Sequence, residues 1–208
     1  KTFVVINLAG IISFSGKRVV VIDLDMRKPK IHLGFGVDNV RGMSTILINK
    51  DTVDNCIRQS NMPGLDFITA GPIPPNSSEL IISERMNEVL AELRSRYDVV
   101  VIDNPPVGLV TDGVPIIQRA DIPIYIFRSD YSKRNFVQNA DRLINENRIG
   151  RLTAVLNSVD VERNKYGYNY NYGYGYGYGY TYGYGYYDEK TKRGPGAIGR
   201  FMKRIGLS

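Results

Sequence analysis

Cysteine and histidine are almost absent from this chain: Cys56 and His32 are the single examples among 208 residues. A disulfide framework is therefore excluded, as are zinc sites built from Cys and His and any catalysis that needs two histidines. A lone thiol fits a reducing, cytosolic setting. Cys56 is expected as a buried helix residue and His32 in a surface or packing role. No apolar run approaches the ~18 residues of a membrane span, and no signal peptide is present. The chain does not begin with Met and reads as a piece of a longer protein. A strongly basic body is lacking as well. Lys+Arg number 27 against 21 Asp+Glu, a net charge of +6. Lys190, Lys192, Arg193, Arg200, Lys203 and Arg204 against Asp188 and Glu189 place +4 of that excess near the C-terminal end. The remainder is only about +2, which does not indicate a nucleic-acid partner.

What is present, up to about residue 160, is an alternation of apolar runs and helical patterns. The spacing predicts a helix over 2–15, with Gly16 at its C-cap, and a buried strand over 18–23. Gly34, Gly36 and Gly42 mark turns, and short helical signals lie near 43–49 and 53–59. Strands are predicted over 65–69, 99–103, 122–128 and 152–157. Helices are predicted over 79–96, near 112–119 (with Asp112 as N-cap) and over 133–146. Strands that are apolar on both faces and separated by helices call for a parallel sheet covered on both sides. The expected fold is α/β, a doubly wound and mostly parallel sheet with helices on both faces.

The character changes after residue 165. Residues 166–187 contain 12 Tyr, 7 Gly, 2 Asn and 1 Thr, without aliphatic or charged side chains. Such a tract cannot build a core against its own ordering entropy and is expected to be disordered. Beyond it, Ile198, Phe201, Met202 and Ile205 share one helical face in a basic end. Three regions follow: a domain at 1–160, a Tyr/Gly-rich tail at 161–193 and a basic amphipathic end at 194–208.

In a parallel α/β sheet, ligands bind beyond the carboxyl ends of the strands. Two sets of carboxylates stand there: Asp23 and Asp25, directly after one VVVI run, and Asp103, directly after another. Together they could bring three carboxylates near one point and suit Mg²⁺ with a polyphosphate. Lys1-Thr2 opens the helix that precedes the Asp23 strand. A Walker A loop ends in Gly-Lys-Ser/Thr on entering its helix, the Lys reaching the β/γ phosphates and the hydroxyl binding Mg²⁺. The glycine-rich half of that motif does not precede Lys1 here, so the piece as given is expected to bind ATP-Mg²⁺ poorly.

Four features in order resemble the bacterial tyrosine kinases of capsule and exopolysaccharide assembly. They are the segment NLAGIISFSGKRVVVIDLDMRKP, the loop Gly71-Pro72-x-Pro74-Pro75-Asn76-x-x-Glu79-Leu80, the run Tyr97–Val107 with its D-x-P-P, and the tyrosine cluster. The resemblance implies a P-loop NTPase-like fold and ATP-dependent phosphorylation of protein tyrosine, with ATP and Mg²⁺ as cofactors. It implies that Lys1 grips phosphate, that Thr2, Asp25 and Asp103 hold Mg²⁺, and that Asp23 or Asp25 acts on the tyrosine hydroxyl. Asn157 fits an adenine reader, as in related P-loop ATPases, or a strand cap. The implied phosphoacceptors are Tyr166, Tyr168, Tyr170, Tyr172, Tyr174, Tyr176, Tyr178, Tyr180, Tyr182, Tyr184, Tyr186 and Tyr187. Implied partners are further copies in a ring-like homo-oligomer, a membrane activator segment and a cognate tyrosine phosphatase, at the cytoplasmic face of the inner membrane. Two rival readings remain: a positioning ATPase with deviant Walker motifs, and a non-enzymatic, tyrosine-rich assembly platform.

Overall fold

Side chains alternate across a strand, and in β1 (Val19–Asp23) both faces are apolar. Val19 and Val21 enter one hydrophobic cluster, Val20 and Ile22 the other. That division sets the layers in the computed structural model, which describes residues 1–106 and 113–160. On one face, α1 (Thr2–Phe14) contributes Val5 and Ala9, and α2 (Ile31–Phe35) contributes Ile31. They pack with Leu65 and Phe67 of β3 (Leu65–Ile68), and the Phe67 ring stacks on Phe35 at 4.0 Å. On the other face lie α3 (Met43–Leu47), α4 (Val53–Cys56), α5 (Ser77–Ile82) and α6 (Glu84–Arg96). Their Met43, Ile46, Leu80, Met86, Val89 and Leu93 bury against Val20 and Ile22. Cys56 is buried in α4. Among the described residues no helix is long and apolar enough to cross a membrane.

The first sheet has the order β2-β3-β1-β4, with β2 at Arg58–Gln59 and β4 at Val99–Asp103. β1 pairs in parallel with β3 and β4, whereas β2 runs antiparallel to β3. Farther along come α7 (Val114–Arg119), β5 (Ile124–Arg128), α8 (Arg134–Asn147) and β6 (Thr153–Asn157). β5 and β6 form a parallel two-stranded sheet of their own. The α/β class and the parallel pairing match expectation.

Three local expectations are corrected. The predicted 79–96 helix is two helices divided at Ser83, whose extended backbone (φ −67°, ψ 158°) ends α5 and whose side chain caps Met86 N. Both halves carry apolar residues at helical spacing, so periodicity could not reveal the break. The 53–59 helical signal yields four helical residues, then an edge strand. Ile57 turns extended, and Arg58 and Gln59 pair with the free edge of β3 opposite Phe67 and Asp66. Finally, Val99–Ile102 is half-buried rather than buried, because β4 is the last strand of its sheet. The helix predicted over 2–15 ends one residue earlier, at Phe14, with Ser15 as its C-cap and Gly16 following at φ +82°. Position 112 and everything beyond 160 lie outside the described residues, including the tyrosine tract and the Ile198/Phe201/Met202/Ile205 stripe.

Gly42 fastens α3 to the end of β3. Met43 N donates to Thr69 O and Ser44 N to Ala70 O, each at 2.8 Å. A Cβ on Gly42 would overlap the Thr69 carbonyl oxygen and the Gly71 nitrogen, both backbone atoms. Gly42→Ala is therefore expected to destabilise the domain by about 1–3 kcal/mol. Urea denaturation with an unchanged midpoint would contradict this.

Candidate nucleotide and metal site

β1 and β4 have the same sequence, VVVID, and pair with no offset, so Asp23 stands opposite Asp103 at the carboxyl edge of the sheet. Leu24 N donates to Asp103 O at 2.9 Å and continues the ladder one step past the strands. The two carboxylates are nevertheless used differently. Asp23 is 0% exposed. Its Oδ1 accepts from Asp25 N at 3.0 Å, and its Oδ2 accepts from Lys30 N at 3.1 Å and Ile31 N at 3.0 Å. It thereby ties down both ends of the 25–30 loop and caps the start of α2. Burial pushes its pKa up from 3.8 to about 6, and the Asp103 charge adds to the rise. The three N–H bonds oppose it.

Asp103 is 1% exposed and faces α1. Its Oδ2 accepts from the Thr2 hydroxyl at 2.6 Å. Its Oδ1 lies 3.1 Å from Lys1 Nζ, an ion pair without hydrogen-bond alignment, and has no hydrogen-bond partner. Lys1 Nζ also pairs with Asp25 Oδ2 at 3.3 Å and donates to the Asn104 carbonyl. Asp25 Oδ1 accepts from Lys28 N at 3.2 Å, which closes the turn. Lys1, Thr2, Asp25 and Asp103 are thus brought together as the sequence suggested. The expectation of three carboxylates at one point is corrected. Among the described residues no group of three His, Cys, Asp or Glu side chains is placed to hold a metal, because Asp23 is turned onto backbone N–H groups.

The remaining donors still fit Mg²⁺. This ion takes one or two carboxylates and leaves its other positions to phosphate oxygens and water. Thr2 Oγ1, Asp25 and Asp103 Oδ1, which accepts no hydrogen bond, are hard oxygen donors of that kind.

Asn157 ends β6, in register with Arg128 at the end of β5. It is half-buried, and its carbonyl accepts from Ser129 N at 2.9 Å. His32 is half-buried, with Nδ1 lacking a partner. Two further residues contribute to the surroundings of the site. The Asn104 carbonyl receives Lys1, while its side chain donates to Gly113 O at 3.0 Å and ties β4 to the start of α7. Arg27 Nη2 donates to Ser78 Oγ at 3.1 Å, linking the 25–30 loop to α5. The position of Asn104 directly after a strand-end Asp was the available signal for the first; Arg27, with Lys28, was expected to face phosphate or a neighbouring subunit or to form a solvated basic loop, and its contact with Ser78 was not foreseen.

The raised Asp23 pKa carries a definite sign. The folded state holds this proton more tightly than the unfolded chain, so the group's contribution to stability falls as pH rises from about 4 through about 6. NMR titration of the Asp23 carboxyl carbon should show a midpoint near 6. A midpoint near 4 would refute the burial argument.

The family described as "AAA domain" matches residues 1–126. Tyrosine-protein kinase wzc of Salmonella typhimurium is 39% identical over 76% of this chain, which spans only 22% of that relative's length. Tyrosine-protein kinase YwqD of Bacillus subtilis is 32% identical over 77% of this chain and 68% of its own length. Among solved structures, the kinase domain of Escherichia coli tyrosine kinase ETK superposes with a TM-score of 0.71 at 31% identity, covering 85% of this chain and 67% of that one. The chain belongs to the bacterial tyrosine-protein kinase family, built on a P-loop nucleotide-binding domain.

Proposed function

We propose that this domain transfers phosphate from ATP to tyrosine hydroxyls, and that its acceptors are the tyrosines of the 166–187 tract on neighbouring copies. The supporting observation is the convergence of Lys1, Thr2, Asp25 and Asp103 at one sheet edge, on a chain that also carries 12 closely spaced phenols. A positioning ATPase would have no use for that tract. A passive platform would have no use for two buried strand-end carboxylates. Nucleotide phosphate would draw Lys1 away from Asp25 and Asp103, exchanging one set of anionic partners for another. Thr2, Asp25 and Asp103 would hold Mg²⁺, which when bound supplies charge neutralisation on the transferred phosphoryl group. Asn157, at the end of β6, would contact adenine.

A phenol with pKa near 10 gives up its proton to a carboxylate only as its bond to phosphorus forms. Positioning and electrostatics therefore dominate the reaction. Asp25 lies on the more open side, with a side chain 14% exposed. Asp23 holds the loop that carries Asp25; to receive the proton itself it would need that loop to open. In its wider setting, the domain would act in a ring-like oligomer at the cytoplasmic face of the inner membrane. A membrane activator segment and a tyrosine phosphatase would set its phosphorylation level, with capsular or exopolysaccharide export as the process controlled.

The test uses a chain extended upstream of Lys1 by a glycine-rich loop of the family type. Lys1→Met and Asp103→Asn should each reduce autophosphorylation at least ~100-fold, in line with the loss of preorganised charge stabilisation, while circular dichroism stays unchanged. A normal phosphotyrosine signal in either variant would overturn the assignment.

A further inference from the structure

Away from the nucleotide edge, α7, the end of α8 and the segments leading into β5 and β6 line an open cavity of about 490 Å³. Its separation from the nucleotide site follows from β5. Arg128 stands at the C-terminal end of that strand, the end beyond which ligands of a parallel sheet bind. Pro123, in the cavity wall, directly precedes the first strand residue. Five residues at about 3.3 Å each place the two ends roughly 16 Å apart.

The lining has two chemical parts. Ile117, Ala120 and Pro123 give it an apolar wall. Opposite in character are Arg148 and Arg151, both exposed. Arg148 takes the left-handed conformation that ends α8 (φ +52°), and Ile149, 6% exposed, anchors the segment between the two arginines. Among the described residues neither guanidinium has a carboxylate partner. The acidic member of the lining, Asp121, is already paired with Arg94 at 3.2 Å. Gln118 Nε2 donates to Asn147 O at 3.0 Å and holds α7 against α8 at the rim. An apolar wall suits an aromatic ring, and two unpaired guanidiniums suit a phosphate dianion in bidentate geometry. The volume falls within the range of about 300–1,000 Å³ usual for ligand sites.

We infer that this cavity docks phosphotyrosine presented by the Tyr/Gly tract of a second copy of the chain. The tract has no charge of its own between residues 166 and 187, and each phosphate would add about −1.5 to −2. Phosphorylation therefore creates the complementarity with Arg148 and Arg151. Glycine beside most of the tyrosines lets the backbone approach the rim without a clashing side chain. The inference rests on the kinase reading only for the source of phosphotyrosine.

The experiment uses the full chain without nucleotide and a fluorescent peptide of residues 171–180, with Tyr176 either phosphorylated or not. Anisotropy should show the phosphopeptide binding at least about tenfold tighter, with the advantage shrinking at high salt. Arg148→Asn with Arg151→Gln should remove the preference; Asn tolerates the left-handed backbone at 148. Arg148→Lys with Arg151→Lys should retain part of it, which separates lost charge from lost fold. Equal affinities for the two peptides would overturn the inference, as would a preference that survives the Asn/Gln pair. Arginine-dependent binding to phosphatidylserine vesicles without phosphopeptide binding would also overturn it, by assigning the patch to a membrane surface. Because the peptides are synthetic, the preference is read independently of catalysis: if the chain extended upstream of Lys1 transfers no phosphate yet the preference is present, the kinase reading falls and the dock stands.

Discussion

The site depends on parallel pairing between two strands of identical sequence. Val19–Asp23 and Val99–Asp103 align residue for residue, so each strand delivers its Asp to the same edge at the same height. A slip of one residue would swap the two layers that the β4 side chains enter and carry Asp103 away from Thr2. Register is held by burial: Val20 and Ile22 lock into one layer, Val19 and Val21 into the other. The core is therefore also the positioning device, and a change deep in β1 is expected to act on the chemistry through geometry.

From that common edge the carboxylates divide their tasks. Asp23 is fully enclosed, and its oxygens accept the N–H groups at both ends of the 25–30 loop. A buried carboxylate without such partners would be costly to ionise; three backbone donors make the burial tolerable. Asp103 instead keeps one oxygen free of hydrogen bonds and gives the other to Thr2. Lys1 bridges Asp103 and Asp25, so the local charge is held close to balance.

Much of this was legible because burial patterns are local. The two VVVI runs, the Asp residues that end them and the Gly16 terminus of α1 follow from apolar runs, strand-end chemistry and the positive φ that glycine permits. What stayed hidden depends on partners distant in sequence. Ser83 divides a stretch whose apolar spacing is continuous, and only its side-chain cap on Met86 marks the break. Arg58 and Gln59 become strand because the edge of β3 is available, a fact 53–59 does not contain. Residue type alone made Asp23 one of three metal-facing carboxylates; the N–H groups of Lys30 and Ile31, which turn it inward, come from a loop that no motif describes. The Arg148/Arg151 cavity was likewise invisible, since its apolar wall is built from α7 and the segment before β5.

Thr2, Asp25 and Asp103 are proposed to form one cation site beside Lys1. Mn²⁺ substituted for Mg²⁺ in the presence of ATP, in the chain extended upstream of Lys1, tests it directly through paramagnetic broadening of NMR signals. The predicted result is broadening centred on Thr2, Asp25 and Asp103, with the Arg148–Arg151 segment unaffected. Broadening centred elsewhere, with these three residues sharp, would contradict it.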